Sequence, residues 1–190
     1  MKAYSGFKAE ASNKIDNLPA GPYVATILAA KVDGKEPDQA LILRVDISEG
    51  PQAGYFRERY NREVKKAAGK YEPRYKGDYR LRIPNDENTK ALYPESDKKR
   101  FNDFVYRVEQ SNPGYHWDWD EGGLKGLAIG INMQQDEYNG VPFTRIGRLE
   151  IADDVRNGSV STMPPRQRQQ QPPMDNQTGF AQVEQPELPW

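Results

Sequence analysis

The sequence contains no cysteine and only one histidine, His116. Disulfide bonds and thiolate metal sites are therefore excluded, and a zinc centre is not expected. Phosphate-cradling glycine loops, His-Glu metal motifs and serine nucleophile elbows are also missing from the sequence. We therefore predict a protein that is not an enzyme and that has no resident metal or cofactor.

Long apolar runs are missing as well. No stretch approaches the roughly 18 apolar residues that a membrane-spanning helix needs. The N-terminal segment "MKAYSGFKAEASNK" lacks the apolar core of a secretory signal. These features predict a cytoplasmic protein with no membrane partner.

The charges are strongly segregated, although the formal net charge is only −1. Between Tyr55 and Arg82 the chain holds ten Lys or Arg and four Asp or Glu. The last 22 residues, 169–190, hold three acids and no Lys or Arg. The sequence thus indicates a domain with a basic centre and a mildly acidic tail.

Apolar patterning predicts a domain built mainly of β-strands. The run "YVATILAAKV" from Tyr23 and the alternating stretch 41–47 each read as a strand, and turn signals precede both. "YFRERYNR" and "DYRLRIP" predict two further strands, in which aromatic and apolar side chains face the core and arginines face outward. In 55–62, Phe56 and Tyr60 would point inward, with Arg57 and Arg59 on the other face.

These runs amount to three or four strands, and a helix and a hairpin follow them. Ser96 is a candidate N-cap, and Phe101, Phe104, Val105 and Val108 share one helical face. "LKGLAIGINMQQ" and "VPFTRIGRLEIAD" then form two strands joined at "YNG", a hairpin signal. We predict a five-stranded, OB-fold-like barrel with one helix between strands 3 and 4. A β-sandwich with a helical insertion is the alternative.

We divide the chain into an N-terminal arm at 1–18, an OB-fold-like domain at 19–155 and a tail at 156–190. From Pro164 onward the tail has seven Gln and six Pro in 27 residues. Such a composition cannot bury enough apolar surface to offset the entropy of ordering, so we predict a disordered linker.

The stretch 55–82 interleaves six aromatic residues with its ten cations, a mixture that suits single-stranded nucleic acid. Cations neutralise phosphates, and rings stack on unpaired bases. Because Phe56, Tyr60 and Tyr79 are assigned to the core, Tyr55, Tyr71 and Tyr75 are the better candidates for stacking. The predicted binding residues are Tyr55, Arg57, Arg59, Arg62, Lys65, Lys66, Lys70, Tyr71, Arg74, Tyr75, Lys76, Arg80 and Arg82. The alternative is a solvated charged surface with no ligand.

The segment "GYHWDWDEGG" adds Trp117 and Trp119 as candidate nucleic-acid-binding residues. In one interpretation they form a stacking platform; in the other they cap the end of the barrel. Neighbouring Asp118, Asp120 and Glu121 could in principle hold a divalent cation, but they are adjacent rather than spaced as in a known loop motif.

The domain and the tail together resemble phage-encoded single-stranded DNA-binding proteins. The matching segments are "LPAGPYVATI" at 18–27, "ISEGPQAGYFRERYN" at 47–61 and "LKGLAIGINMQQDEYNG" at 124–140. The end of the chain is similar to the acidic tip of bacterial single-stranded DNA-binding proteins, with Trp where that tip has Phe. The matching tip residues are Glu184, Glu187, Leu188, Pro189 and Trp190.

This resemblance implies a protein that coats single-stranded DNA during phage replication or recombination inside an infected bacterial host. It also implies that the tip recruits replication or recombination proteins, and it is compatible with a homo-oligomer. The alternative is a phage adaptor or assembly module in which the tail carries the function and the basic stretch binds no nucleic acid.

Overall fold

A computed structural model describes residues 17–85 and 94–166. The elements run in the order β1 (Gly21–Asp33), β2 (Ala40–Ile47), α1 (Tyr55–Ala67), β3 (Asp78–Arg82), α2 (Pro94–Ser111), a 3-10 turn (Glu121–Leu124), β4 (Ala128–Tyr138), β5 (Val141–Glu150) and α3 (Ala152–Arg156). Within these ranges no helix is long and apolar enough to cross a membrane.

The five strands form one antiparallel sheet in the order β3-β2-β1-β4-β5. The prediction of a mainly β domain with five strands is confirmed. The helices differ from the single one predicted, because α1 lies between β2 and β3 in addition to α2 between β3 and β4. The prediction of a closed barrel is wrong, because no backbone pairing within the described ranges joins β3 to β5.

The core lies between the inner face of the sheet and the two longer helices. Strand residues such as Ile27, Leu43 and Ile131 are fully buried there. Helix α2 contributes Phe101, Phe104 and Val108, as their spacing predicts. Hydrophobic burial at about 25 cal/mol per Å² of apolar surface is the main force that holds α2 on the sheet.

Residues 55–62 form the start of helix α1, so the strand predicted there is wrong. The carboxylate of buried Asp46 accepts hydrogen bonds from the backbone amides of Ile47 and Phe56, each at 3.0 Å. The second bond satisfies an amide in the first turn of α1 that has no partner within the helix. Phe56 and Ala67 are buried on the inner face of α1, eleven residues apart, which is a helical and not a strand spacing.

The β4–β5 hairpin turns at Asn139 and Gly140, both with positive φ (51° and 77°), as the Asn-Gly signal predicts. This turn sets the register of β4 and β5, with Tyr138 opposite Val141.

The ends of the domain differ from the predicted boundaries. Leu18, placed in the N-terminal arm, is 1% exposed and belongs to the core. At the other end, α3 includes the predicted start of the linker, and residues 157–166 run back along β4. There the side-chain amides of Asn132 and Gln134 donate to the carbonyls of Ser161 and Pro164, each at 2.9 Å. The rest of the predicted arm and linker lies outside the described residues.

Gly77 is a position where the fold leaves no room for a side chain. A Cβ there would lie 2.3 Å from the carbonyl oxygen of Val45 and 2.9 Å from the ring of Phe56. The backbone amide of Val45 also donates to the carbonyl of Gly77 at 2.9 Å, so the two segments cannot separate without loss of that bond.

We predict that Gly77→Ala lowers the free energy of unfolding by about 1–3 kcal/mol, because the added methyl group overpacks the junction of β2, α1 and β3. Urea denaturation followed by circular dichroism measures the change. Gly123→Ala is the control, since its Cβ meets nothing closer than the Tyr115 hydroxyl at 3.3 Å. Equal stability of the two variants would contradict the packing described here.

Candidate nucleic-acid interface

The gap between β3 and β5 contains two adjoining cavities of about 480 and 500 Å³. Tyr79, Arg80, Arg145 and Ile146 line both of them, so the two cavities form one continuous depression. We call it the β3–β5 groove. One cavity extends toward α2, and the other extends toward α1 and the loop before β3.

The lining of the groove is strongly basic. Its acids are Asp78 and Asp103. Its nine cations are Arg59, Arg74, Lys76, Arg80, Arg100, Arg107, Arg145, Arg148 and Arg166. A concave surface lined by one sign of charge concentrates its field and attracts ligands of the opposite sign. The groove is therefore suited to an anion that makes several contacts along its length.

The cations of the groove come from separate elements of the fold. Arg80 lies on β3, where it forms an ion pair with Asp33 at 2.9 Å. Arg59 lies on α1 and donates to Glu63 and to the Tyr55 hydroxyl, each at 3.2 Å. These partners are in the same chain, and hydrogen bonds of this kind restrict the position of each guanidinium group.

Helix α2 supplies Arg100 and Arg107, which are seven residues, or about two turns, apart and so share one face. Arg107 donates a hydrogen bond to the carbonyl oxygen of Leu149 at the end of β5. The helix is thereby tied to the strand across the groove. None of the ion pairs within the described part of the chain involves Arg100.

The hydroxyl of Tyr79 lies among these charges. Burial raises the pKa of Tyr79 above its ordinary value, and the positive charges of Arg100, Arg107 and Arg145 oppose that rise. The charges of three cations from α2 and β5 therefore converge on the Tyr79 hydroxyl in the groove. The half-buried ring of Phe143 lines the groove too, which gives it aromatic as well as basic surface.

A buried carboxylate anchors one edge of the groove. Asp136 on β4 is 3% exposed, and its carboxylate lies 3.5 Å from Arg145 and 3.7 Å from Arg166. The backbone amide of Arg166 also donates to the carbonyl of Gln135 at 2.9 Å. These contacts place the end of the 157–166 segment at the groove.

Six of the predicted binding residues line the groove. They are Tyr55, Arg59, Arg74, Tyr75, Lys76 and Arg80. The expectation that Tyr75 stacks on bases is wrong, because the residue is 7% exposed and its hydroxyl donates to the carbonyl of Val45. The guanidinium carbon of Arg44 lies over the ring of Tyr75, 4.8 Å from its centroid. Tyr55 is half-buried, and its hydroxyl accepts from the backbone amide of Leu18 at 3.1 Å.

The other predicted cations do not line the groove. Arg57 lies 3.8 Å from Asp46, and Arg82 lies 3.8 Å from Asp97 beside a separate, small cavity. Because 55–67 is a helix, Arg57 and Arg59 do not share an outward strand face as predicted. The remaining predicted residues outside the groove are Arg62, Lys65 and Lys66 on α1 and Lys70 and Tyr71 in the loop after it.

Trp117 and Trp119 lie beside α2, outside the groove lining. Trp117 is half-buried and packs against Phe101 and Phe104, with ring centroids 5.8 Å from each. Its ring therefore covers two core residues of α2. Trp119 is 71% exposed and stacks on Phe101 and Trp117. Where the structure describes the chain, no group of three or more potential metal ligands comes together, at Asp118, Asp120 and Glu121 or elsewhere.

Sequence reasoning missed five of the nine cations: Arg100, Arg107, Arg145, Arg148 and Arg166. The seven-residue spacing of Arg100 and Arg107 around Phe104 was a usable signal, because it places both arginines beside a core-facing position. No comparable signal marks Arg166, since it lies within a Gln/Pro-rich stretch and reaches the groove through long-range contacts. The predicted tip, Glu184 to Trp190, lies outside the described residues.

No protein-family model and no curated protein matches this sequence. The resemblance to phage single-stranded DNA-binding proteins therefore stays a prediction.

We predict that Asp136→Asn lowers the free energy of unfolding by about 1–3 kcal/mol, because Arg145 and Arg166 lose a buried charged partner. Thermal or urea unfolding measures this change. Trypsin cleavage after Arg166 should also become faster, which mass spectrometry of the fragments would show.

Glu137→Gln is the matched control, because it removes the same charge from the exposed neighbouring side chain. A variant pair with equal stability and equal cleavage rates would show that Asp136 does not anchor the segment.

Proposed function

We propose that this protein binds single-stranded DNA in the β3–β5 groove without strong sequence preference. The observation that carries the proposal is the continuous lining of nine cations against two acids. Each phosphate that pairs with such a cation releases condensed counterions, which favours binding at low salt.

The shape of the groove favours a single strand over a duplex. Readers of double helices usually insert a helix or a β-ribbon into the major groove. Here the cations surround a depression between two strands and two helices. A flexible single strand can enter such a depression, and its unpaired bases can reach the rings of Tyr79 and Phe143.

The strand order also supports a nucleic-acid-binding function. The order β3-β2-β1-β4-β5, with α2 between β3 and β4, is that of an OB-type barrel opened between strands 3 and 5. OB-folds commonly bind oligonucleotides on one face.

We further propose that the C-terminal tip recruits a partner protein during phage replication or recombination in the bacterial cytoplasm. The tip has acids and apolar residues, which together suit a short peptide that docks in a basic-rimmed pocket. A pull-down of purified replication proteins with and without residues 184–190 tests this role separately from DNA binding.

The structure allows a matched test of the DNA site. Arg59→Ala/Arg80→Ala removes two cations of the groove, whereas Arg57→Ala/Arg82→Ala removes two arginines of the same basic stretch outside it. Both double variants lose the same charge, and each arginine concerned has one acidic partner.

We predict weaker binding of a fluorescent oligo-dT by Arg59→Ala/Arg80→Ala, and a salt dependence less steep by about 0.7 per lost phosphate contact. Binding by Arg57→Ala/Arg82→Ala should stay close to that of the native protein. Anisotropy titrations at two salt concentrations, with duplex DNA in parallel, measure both effects.

If the adaptor hypothesis were correct, neither double variant would differ from the native protein, and oligo-dT would bind weakly to all three. Equal losses in the two double variants would instead place the DNA outside the groove.

A further inference from the structure

Two surface patches outside the β3–β5 groove expose apolar side chains, and they carry opposite charges. One is the loop around Trp119, and the other is the C-terminal end of α1. Trp119 is 71% exposed, although a tryptophan ring is among the most favourable groups to bury. The residues around it hold it in that position.

The loop around Trp119 is internally bonded. Trp119 adopts a positive φ of 69°, which is uncommon for a residue with a side chain. The indole of Trp117 donates to the carbonyl of Asp120 at 2.8 Å, and the carboxylate of Asp120 accepts from the amide of Gly122 at 3.0 Å. The ring of Trp119 lies almost parallel to Phe101, with centroids 6.1 Å apart at 11°.

This loop is acidic. Between Glu109 and Leu124 the sequence has no Lys or Arg. Burial raises the pKa of Tyr115, and the charges of Asp118, Asp120 and Glu109 raise it further, so three carboxylates act on one hydroxyl. Negative charge at this density repels phosphates, which favours a protein surface over nucleic acid as the ligand of Trp119. We call Trp119, Asp118, Asp120 and Glu121 the Trp119 patch.

The second surface has the opposite character. Val64 is 42% exposed and Tyr71 is 62% exposed, and both are large apolar side chains in contact with solvent. The exposed lysines Lys65, Lys66 and Lys70 lie between them in the sequence. We call these five residues the α1 patch. Three of them were predicted to bind nucleic acid through their charge, yet none of the five lines the groove.

We propose that the Trp119 patch of one copy docks on the α1 patch of a second copy. The ring of Trp119 would cover the apolar surface of Val64 and Tyr71, while the carboxylates around it would pair with the lysines. The two patches have the complementary charge that this contact requires, and rings and cations also attract each other directly.

Such a contact is head-to-tail, because it joins two different surfaces. Helix α1 packs on β2, whereas the Trp119 loop packs on α2, so one copy can hold a neighbour at each patch. A heterologous contact of this kind builds rings or open arrays instead of closed two-fold dimers. The association does not need the groove, and its test is therefore independent of DNA binding.

The experiment is sedimentation velocity of the purified full chain over a concentration series at low ionic strength. The native protein should form species larger than a dimer, and added salt should dissociate them. Trp119→Ala and Lys65→Glu/Lys66→Glu should each remain monomeric, with the association constant reduced at least about tenfold. Tyr138→Ala, which removes an exposed ring on the β4–β5 hairpin, is the control and should associate like the native protein.

Mixing the two defective proteins gives the decisive measurement. Trp119→Ala keeps an intact α1 patch, and Lys65→Glu/Lys66→Glu keeps an intact Trp119 patch. An equimolar mixture should therefore form a 1:1 dimer and nothing larger. A monomeric native protein, native-like association of either variant, or a mixture without dimer would each overturn the proposal. Circular dichroism of each variant verifies that it is folded.

Discussion

The separation of β3 from β5 is the constraint on which the rest of this structure depends. In a closed barrel these two edges would pair, and the space between them would be filled by their backbones. Here β3 is only five residues long, and the depression at its edge is lined from both sides by side chains. Helix α2 adjoins one end of the gap and α1 the other, so four elements contribute cations to the same concave surface.

The cations of the groove repel each other, and acids of the same domain offset part of this repulsion. Several of the nine cations are paired with acids on the same element or on another one. The pairs are Arg80 with Asp33, Arg59 with Glu63, Arg145 with Asp136 and Arg148 with Glu150. Both partners are partly exposed in the pairs of Arg80 and Arg59, so these two pairs stabilise the fold only modestly and can exchange the acid for a phosphate. The groove is therefore positioned by its own acids and remains able to bind an external anion.

The sequence predicted the strands with clear alternation, the face of α2 and the hairpin at Asn139 and Gly140. It failed at 55–62 because Phe56 and Tyr60 are four residues apart, a spacing that fits both a strand and a helix. The helix is favoured by the burial of Ala67 and by the hydrogen bond that the amide of Phe56 donates to the carboxylate of Asp46. The groove was only partly predictable, because long-range contacts assemble it. Arg59 and Arg80 lie in the basic stretch, whereas Arg145 and Arg166 reach the site through β-pairing and a returning segment that local patterns do not encode.

The most direct test of the central claim is to map where a single strand touches the protein. An oligonucleotide in which bromodeoxyuridine replaces thymidine can be crosslinked by ultraviolet light, and mass spectrometry then identifies the attached residues. Binding in the β3–β5 groove predicts crosslinks at Tyr79 or Phe143. Crosslinks confined to Tyr71 or Trp119, or none under conditions where the oligonucleotide binds, would contradict it.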